Sequence, residues 1–216
     1  MTAIDRQFFR RLDEAQDELF YLEPRFVVHI DQTAIQTIGE IFRAKLPKSG
    51  AILDLMSSWR SHLPDSMAPS RVVGLGMNRA EMADNPALSE IVVHNLNREP
   101  SLPFSEGEFD AAVLTVSVQY LIHPIEVFAE VGRVLRADAP FVVTFSNRMF
   151  PTKAVALWVH ASEEQRVSLV ARYFHDAGCF ARIETMEGGQ NRQGRSDPVH
   201  CLIGYRRSGQ DPKRDA

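Results

Sequence analysis

The stretch that decides the fold is "FDAAVLTVSVQYLIHPIEVFAEVGRVLRADAPFVVTFS", Phe109 to Ser146. It reads as an apolar strand over "FDAAVLTVSV", a helix over Pro124–Leu135 and a second apolar strand over "PFVVTFS". Strands that are nearly continuous in apolar residues suit a parallel sheet covered on both faces. Two parallel strands joined through a helix make a right-handed crossover, the unit of an α/β layer fold.

The same alternation extends in both directions. Further strands are expected at "AILDL", "RVVGL", "EIVVH", "RIETM" and "VHCLIGYR", with helices over Ser57–Ser66, Asn78–Asp84 and Glu163–Ala177. No helix separates the last two strands. The intervening "EGGQNRQGRSDP" instead suggests a hairpin, hence an antiparallel edge. The expected architecture is a Rossmann-like three-layer sandwich: a seven-stranded, mostly parallel sheet with an antiparallel C-terminal hairpin strand. Ahead of it, Phe8, Leu12, Ala15 and Leu19 fall at helical spacing between Asp5 and Leu22, and Pro24 ends that pattern. A second helix is expected from an Asp31 cap through Ile35, Ile38 and Phe42 to Lys45. The division is therefore a helical cap over 1–48, a Rossmann-like domain over 49–207 and a flexible tail over 208–216.

At 216 residues, with 44% hydrophobic and 24% charged residues, the chain can bury a sizeable core. A net charge of −4 argues against a nucleic-acid partner held by broad phosphate neutralisation. No segment approaches the roughly 20 apolar residues of a membrane span. Nor does the N-terminus resemble a secretory signal, so a cytoplasmic protein without a membrane partner is expected, with monomer and homodimer both left open. Cys179 and Cys201 have no metal-ligand spacing and read as buried free thiols rather than a disulfide.

In open α/β sheets ligands sit beyond the carboxyl ends of the strands. That selects Asp54 to Trp59, Gly74 to Asn78, His94 to Asn97, Ser117 to Tyr120 and Ser146 to Arg148. Within Leu96–Asn147, the "LPF" turn, the "FDAAV" strand and the helix ending "EVGRVL" resemble the class I S-adenosylmethionine-dependent methyltransferases, in particular the methyltransferase type 11 group. The resemblance spans roughly Ala51 to Arg206 and implies S-adenosyl-L-methionine as cofactor and a small-molecule acceptor. It assigns Asp54 to the acid closing the first strand, and Met56, Ser57, Ser58 and Trp59 to the loop beside the methionine part of the cofactor. Gly74 and Asn78 border the second strand's end. Asn95 and Leu96 fall near the adenine, and Ser117 near the sulfonium.

Two departures stand out. The usual glycine loop is "LMSSW", and the acid expected to grip the ribose is Gly76. Asn78 or Glu81 is a candidate replacement. Ser57 or Ser58 could cap a following helix and present N–H groups to the cofactor carboxylate.

Transfer from a sulfonium depends mainly on positioning, with a base needed only for an acceptor that must lose a proton. His29, His62 and Tyr120 are the candidates, with Trp59 and His62 sharing one helical face. On the substrate side stand Tyr21 and Arg25 of a lid segment, Gln119, and Asn147 and Arg148. Alternative readings are a non-catalytic protein of the same fold whose cofactor site has decayed, and a nucleotide-sugar or nicotinamide enzyme. The latter lacks its glycine fingerprint here.

Overall fold

The crossover at the centre of the sequence is present in the computed structural model, which describes residues 4–188 and 196–208. Five strands run parallel: β1 (Ala51–Leu55), β2 (Arg71–Gly76), β3 (Glu90–Val93), β4 (Ala111–Thr115) and β5 (Pro140–Phe145). β6 (Phe180–Gly188) and β7 (Val199–Arg206) form the expected antiparallel pair. β7 inserts beside β5, giving the order β3-β2-β1-β4-β5-β7-β6. Part of the loop joining β6 to β7 lies outside the described residues. The chain direction of sheet growth reverses between β1 and β4, and this reversal opens the crevice where such sheets bind ligands.

Alternation along each strand feeds two cores. Ile52, Val113, Val142 and Ile203 face α2 (Gln32–Lys45), whose buried stripe is Ala34, Ile38, Ile41 and Phe42. Asp31 caps this helix by accepting the Ala34 N–H at 2.8 Å. Leu53, Leu114, Phe141 and Val143 face α4 (Pro124–Val134) and α6 (Glu163–Ala177) through Phe128, Val131, Val170 and Phe174. Two short helices complete that layer and the sheet's edge: α5 (Ala156–Val159), and α3 (Arg79–Ala83) capped by Asn78. Both cysteines are free thiols, Cys201 buried and Cys179 half-buried.

Three expectations are corrected. Asp5–Leu22 is not one helix but a strap with a 3-10 turn at Arg6–Phe9 and a single helical turn, α1 (Asp17–Phe20). Its apolar spacing finds no surface to bury: Leu12 and Leu19 are 83% and 66% exposed. The strap is held instead by polar anchors. Asp13 N–H donates to the Thr152 carbonyl at 2.8 Å, and the buried Lys153 ammonium donates to the Ala15 carbonyl at 2.8 Å.

Ser57–Ser66 forms no helix. Met56 and His62 adopt φ of 50° and 57°, and Ser57 and Ser61 turn their hydroxyls onto Asp54. Finally, β4 stops at Thr115, short of the expected end, because Val116 turns the chain at φ 49°.

Candidate functional site

A cavity of about 330 Å³ opens at the carboxyl ends of β1, β2, β3 and β4, roofed by the strap from Tyr21 to Ile30 and by Met149 and Phe150 after β5. Its size is in the range of small-ligand sites.

Asp54, the last acid of β1, is 3% exposed. Its Oδ2 accepts the hydroxyls of Ser57 at 2.7 Å and Ser61 at 2.5 Å. Burial pushes its carboxyl up to about 6, although both hydroxyls pull the other way. Asn85 pins the same loop, donating to the Ser58 carbonyl and the Ser61 hydroxyl at 2.9 Å each. The Ser57 N–H donates to the Leu75 carbonyl at 2.9 Å, so the loop lies against β2 and this amide does not face a ligand. Contact there is so close that a Cβ on Gly76 would stand 2.1 Å from the Ser57 carbonyl oxygen. The acid missing from the end of β2 has no room.

Met56 and Val116, at the ends of adjacent strands, both hold positive φ and both line the cavity. For a β-branched valine this is a strained conformation, of a kind that gathers at functional sites. It is braced by the Val116 N–H donating to the Thr144 carbonyl at 2.7 Å and by Gln119 Nε2 donating to the Val116 carbonyl at 3.0 Å. Beside it Thr115 and Ser117 also line the cavity, and their buried hydroxyls have no hydrogen-bond partner among the described residues. Unmet hydroxyls of this kind cost roughly 1–3 kcal/mol each.

The roof is tied to the sheet by side chains from the strand ends. Asn78 Nδ2 donates to the Tyr21 and Leu22 carbonyls at 2.9 and 3.2 Å, and Asn95 Nδ2 to Glu18 at 2.9 Å. Asn97 Nδ2 donates to Asp17 at 2.9 Å. The buried Asp17 also receives Arg11 at 2.7 Å and Lys153 at 3.3 Å, so one carboxylate gathers two cations under the strap. Arg25 spreads its guanidinium over Phe20, 4.6 Å from the ring centre, and donates to the Phe20 carbonyl.

The three candidate bases all line the cavity. Burial holds His29 below the usual imidazole range, with its ring edge-on to Phe150 at 5.0 Å. Burial, and then the nearby Arg60 charge, pushes His62 down to about 4. The Tyr120 hydroxyl accepts the Phe150 N–H at 2.8 Å, and burial raises its pKa. Both imidazoles are therefore neutral at neutral pH, able to accept a proton.

Of the residues singled out from sequence, Asp54, Met56, Ser57, Ser58, Asn78, Asn95, Leu96 and Ser117 meet on this wall. So do Tyr21, Arg25, His29, His62, Tyr120 and Arg148. Four lie elsewhere. Trp59 donates its indole N–H to Asp84 at 2.5 Å with Arg60 stacked over its ring, and the helical face it was to share with His62 does not form. Gly74 lies under Leu88, and Asn147 is exposed. Gln119 is buried with its amide bound to the Val116 and Arg148 carbonyls. Thr115, Val116, Arg11 and Asp17 join the wall unanticipated. The over-long β4 reading hid the first two, and nothing in the local sequence marks Asp17 as buried.

The strand order with β7 inserted antiparallel, and one cavity across the ends of the first four strands, set the frame for comparison with known proteins. Residues 63–143 match the family model described as a methyltransferase domain. The fold is that of the class I methyltransferases. Solved S-adenosylmethionine-dependent methyltransferases superpose on most of the chain. One from Thermotoga maritima is 12% identical with a TM-score of 0.58, over 82% of this chain and 91% of that one. An Aquifex aeolicus methyltransferase is 14% identical at a TM-score of 0.56, covering 88% and 96%. A third, from Mesorhizobium loti, is 15% identical at 0.52, covering 79% and 98%. At these identities the likeness is one of fold. Comparison with curated protein sequences finds no match. Among the described residues no helix of this methyltransferase fold is long and apolar enough to cross a membrane.

Proposed function

We propose that the chain is an S-adenosylmethionine-dependent methyltransferase with a small-molecule acceptor, working in the cytoplasm as a monomer or homodimer. The observation that carries this reading is the cavity spanning the ends of β1 to β4, with the buried Asp54 and the positive-φ Met56 and Val116 on its wall. A concave site flanked by strained backbone fits a bound ligand better than a decayed site, which has no reason to keep that cost.

In this reading Asp54 faces the amino group of the cofactor's methionine end, with Met56 to Ser58 as the adjoining wall. Asn95 and the Leu96 backbone border the adenine, and Ser117 stands by the reacting centre. When bound, the cofactor supplies an activated methyl group. The protein excludes water with the strap and holds the acceptor in line, which supplies much of the rate. Tyr21, Arg25 and Arg148 border the acceptor's end. His29, neutral and standing on the strap at the cavity, is the base for an acceptor that must lose a proton, with His62 and Tyr120 as the other candidates.

The test is a cell extract incubated with methyl-labelled cofactor, with and without the protein, its small molecules then resolved by chromatography. A labelled small-molecule species distinct from the cofactor, present only with the protein, is expected. Label held only in protein or nucleic acid would overturn the small-molecule acceptor.

A further inference from the structure

Glu81 is 6% exposed and stands on the cavity wall, yet it has no ion-pair partner among the described residues. A buried carboxylate without a counter-charge is costly unless its oxygens are satisfied by hydrogen bonds. The protein supplies one donor to each oxygen: the Arg25 N–H to Oε1 at 2.7 Å and the Ser58 hydroxyl to Oε2 at 2.5 Å. A carboxylate offers about four acceptor positions, two on each oxygen. One acceptor position on each oxygen is therefore left over, on a residue that lines the cavity.

The direction of this side chain is itself informative. Glu81 is the third residue after the Asn78 cap, where a glutamate ordinarily folds back to the cap's own N–H. Here it is bonded to the strap on one side and to the β1 loop on the other. That loop is the segment whose Ser57 carbonyl leaves no space for a side chain at Gly76. Packing of the loop thus removes any side chain from the end of β2, and its next residue, Ser58, orients a carboxylate reaching in from α3.

We infer that Glu81 binds the two vicinal hydroxyls of the ligand's ribose, replacing from α3 the acid that the end of β2 cannot carry. This rests on the cofactor reading above. One hydroxyl would donate to each oxygen of Glu81, while the Arg25 N–H ties ligand binding to the strap.

Calorimetric titration of the full chain with S-adenosylhomocysteine, and with its counterpart lacking both ribose hydroxyls, tests the inference. The wild-type protein is expected to bind the dideoxy probe roughly 10- to 100-fold more weakly, the loss of charge-assisted hydrogen bonds. Glu81→Gln is expected to weaken S-adenosylhomocysteine by a similar factor and to discriminate little between the two probes. A variant that keeps the full wild-type preference for the hydroxylated probe would overturn the assignment of Glu81. Equal wild-type affinity for the two probes would overturn it without any variant, should Glu81→Gln fail to fold. If neither probe binds the wild type, the cofactor reading itself fails and the inference falls with it.

Discussion

Gly76→Asp, which would restore the acid absent from the end of β2, is expected to destabilise the protein and not to improve cofactor binding. Its Cβ would stand 2.1 Å from the Ser57 carbonyl oxygen and 3.0 Å from the Met82 sulfur. The first obstacle is backbone, so the chain from Met56 to Ser58 must move rather than a side-chain tip. Overpacking of this kind costs about 3 kcal/mol or more. For a domain of this size that lowers the melting temperature by roughly 6–12 °C, at 2–4 °C per kcal/mol. Gly107→Ala is the control. Unlike Gly76, its φ is positive, at 65°, and nothing among the described residues lies within 4 Å of the added Cβ, so only the left-handed backbone cost of about 1–2 kcal/mol is expected. Thermal melts of both variants decide the point. A Gly76→Asp protein as stable as wild type would mean that the loop does not rest on β2 as described.

Asp54→Asn is expected to change how stability depends on pH. Burial raises the Asp54 carboxyl from 3.8 to about 6, so the folded state holds this proton more tightly than the unfolded chain does. Its contribution to stability is present below about pH 4 and is lost as the pH rises through about 6. The difference between 3.8 and about 6 corresponds to about 3 kcal/mol. Asparagine keeps an oxygen for the Ser57 and Ser61 hydroxyls and removes the buried charge. Relative to wild type, the variant should therefore gain about 3 kcal/mol between pH 4 and pH 7, read by urea unfolding at the two values. Parallel pH profiles for the two proteins would show that the carboxyl does not titrate in this way.

The central crossover was legible because its physics is local. Pro124–Val134 presents one apolar stripe and is flanked by runs that no amphipathic strand would tolerate, so helix and strands follow from patterning alone. The Asp31 cap and the antiparallel pairing of β6 with β7 were readable for the same reason.

What was not legible depends on partners distant in sequence. Phe8, Leu12 and Leu19 have helical spacing, but the strap's conformation is set by Thr152, Lys153 and Asn97, far along the chain. The polar segment after β1 has the composition of a helix start. Asp54 takes the Ser57 and Ser61 hydroxyls, Glu81 takes that of Ser58, and Asn85 and Leu75 hold the segment further, so tertiary bonds override local preference. The same long-range contact explains the glycine at 76, which from sequence alone reads as the loss of a ligand. In three dimensions it makes room for the loop that orients Glu81.

The most direct test of the central claim is calorimetric titration of the full chain with S-adenosylmethionine. The cavity across β1 to β4 predicts saturable binding with one site per chain, and weaker binding when Asp54 is replaced by asparagine. No heat of binding at millimolar cofactor, from a protein shown to be folded, would contradict it.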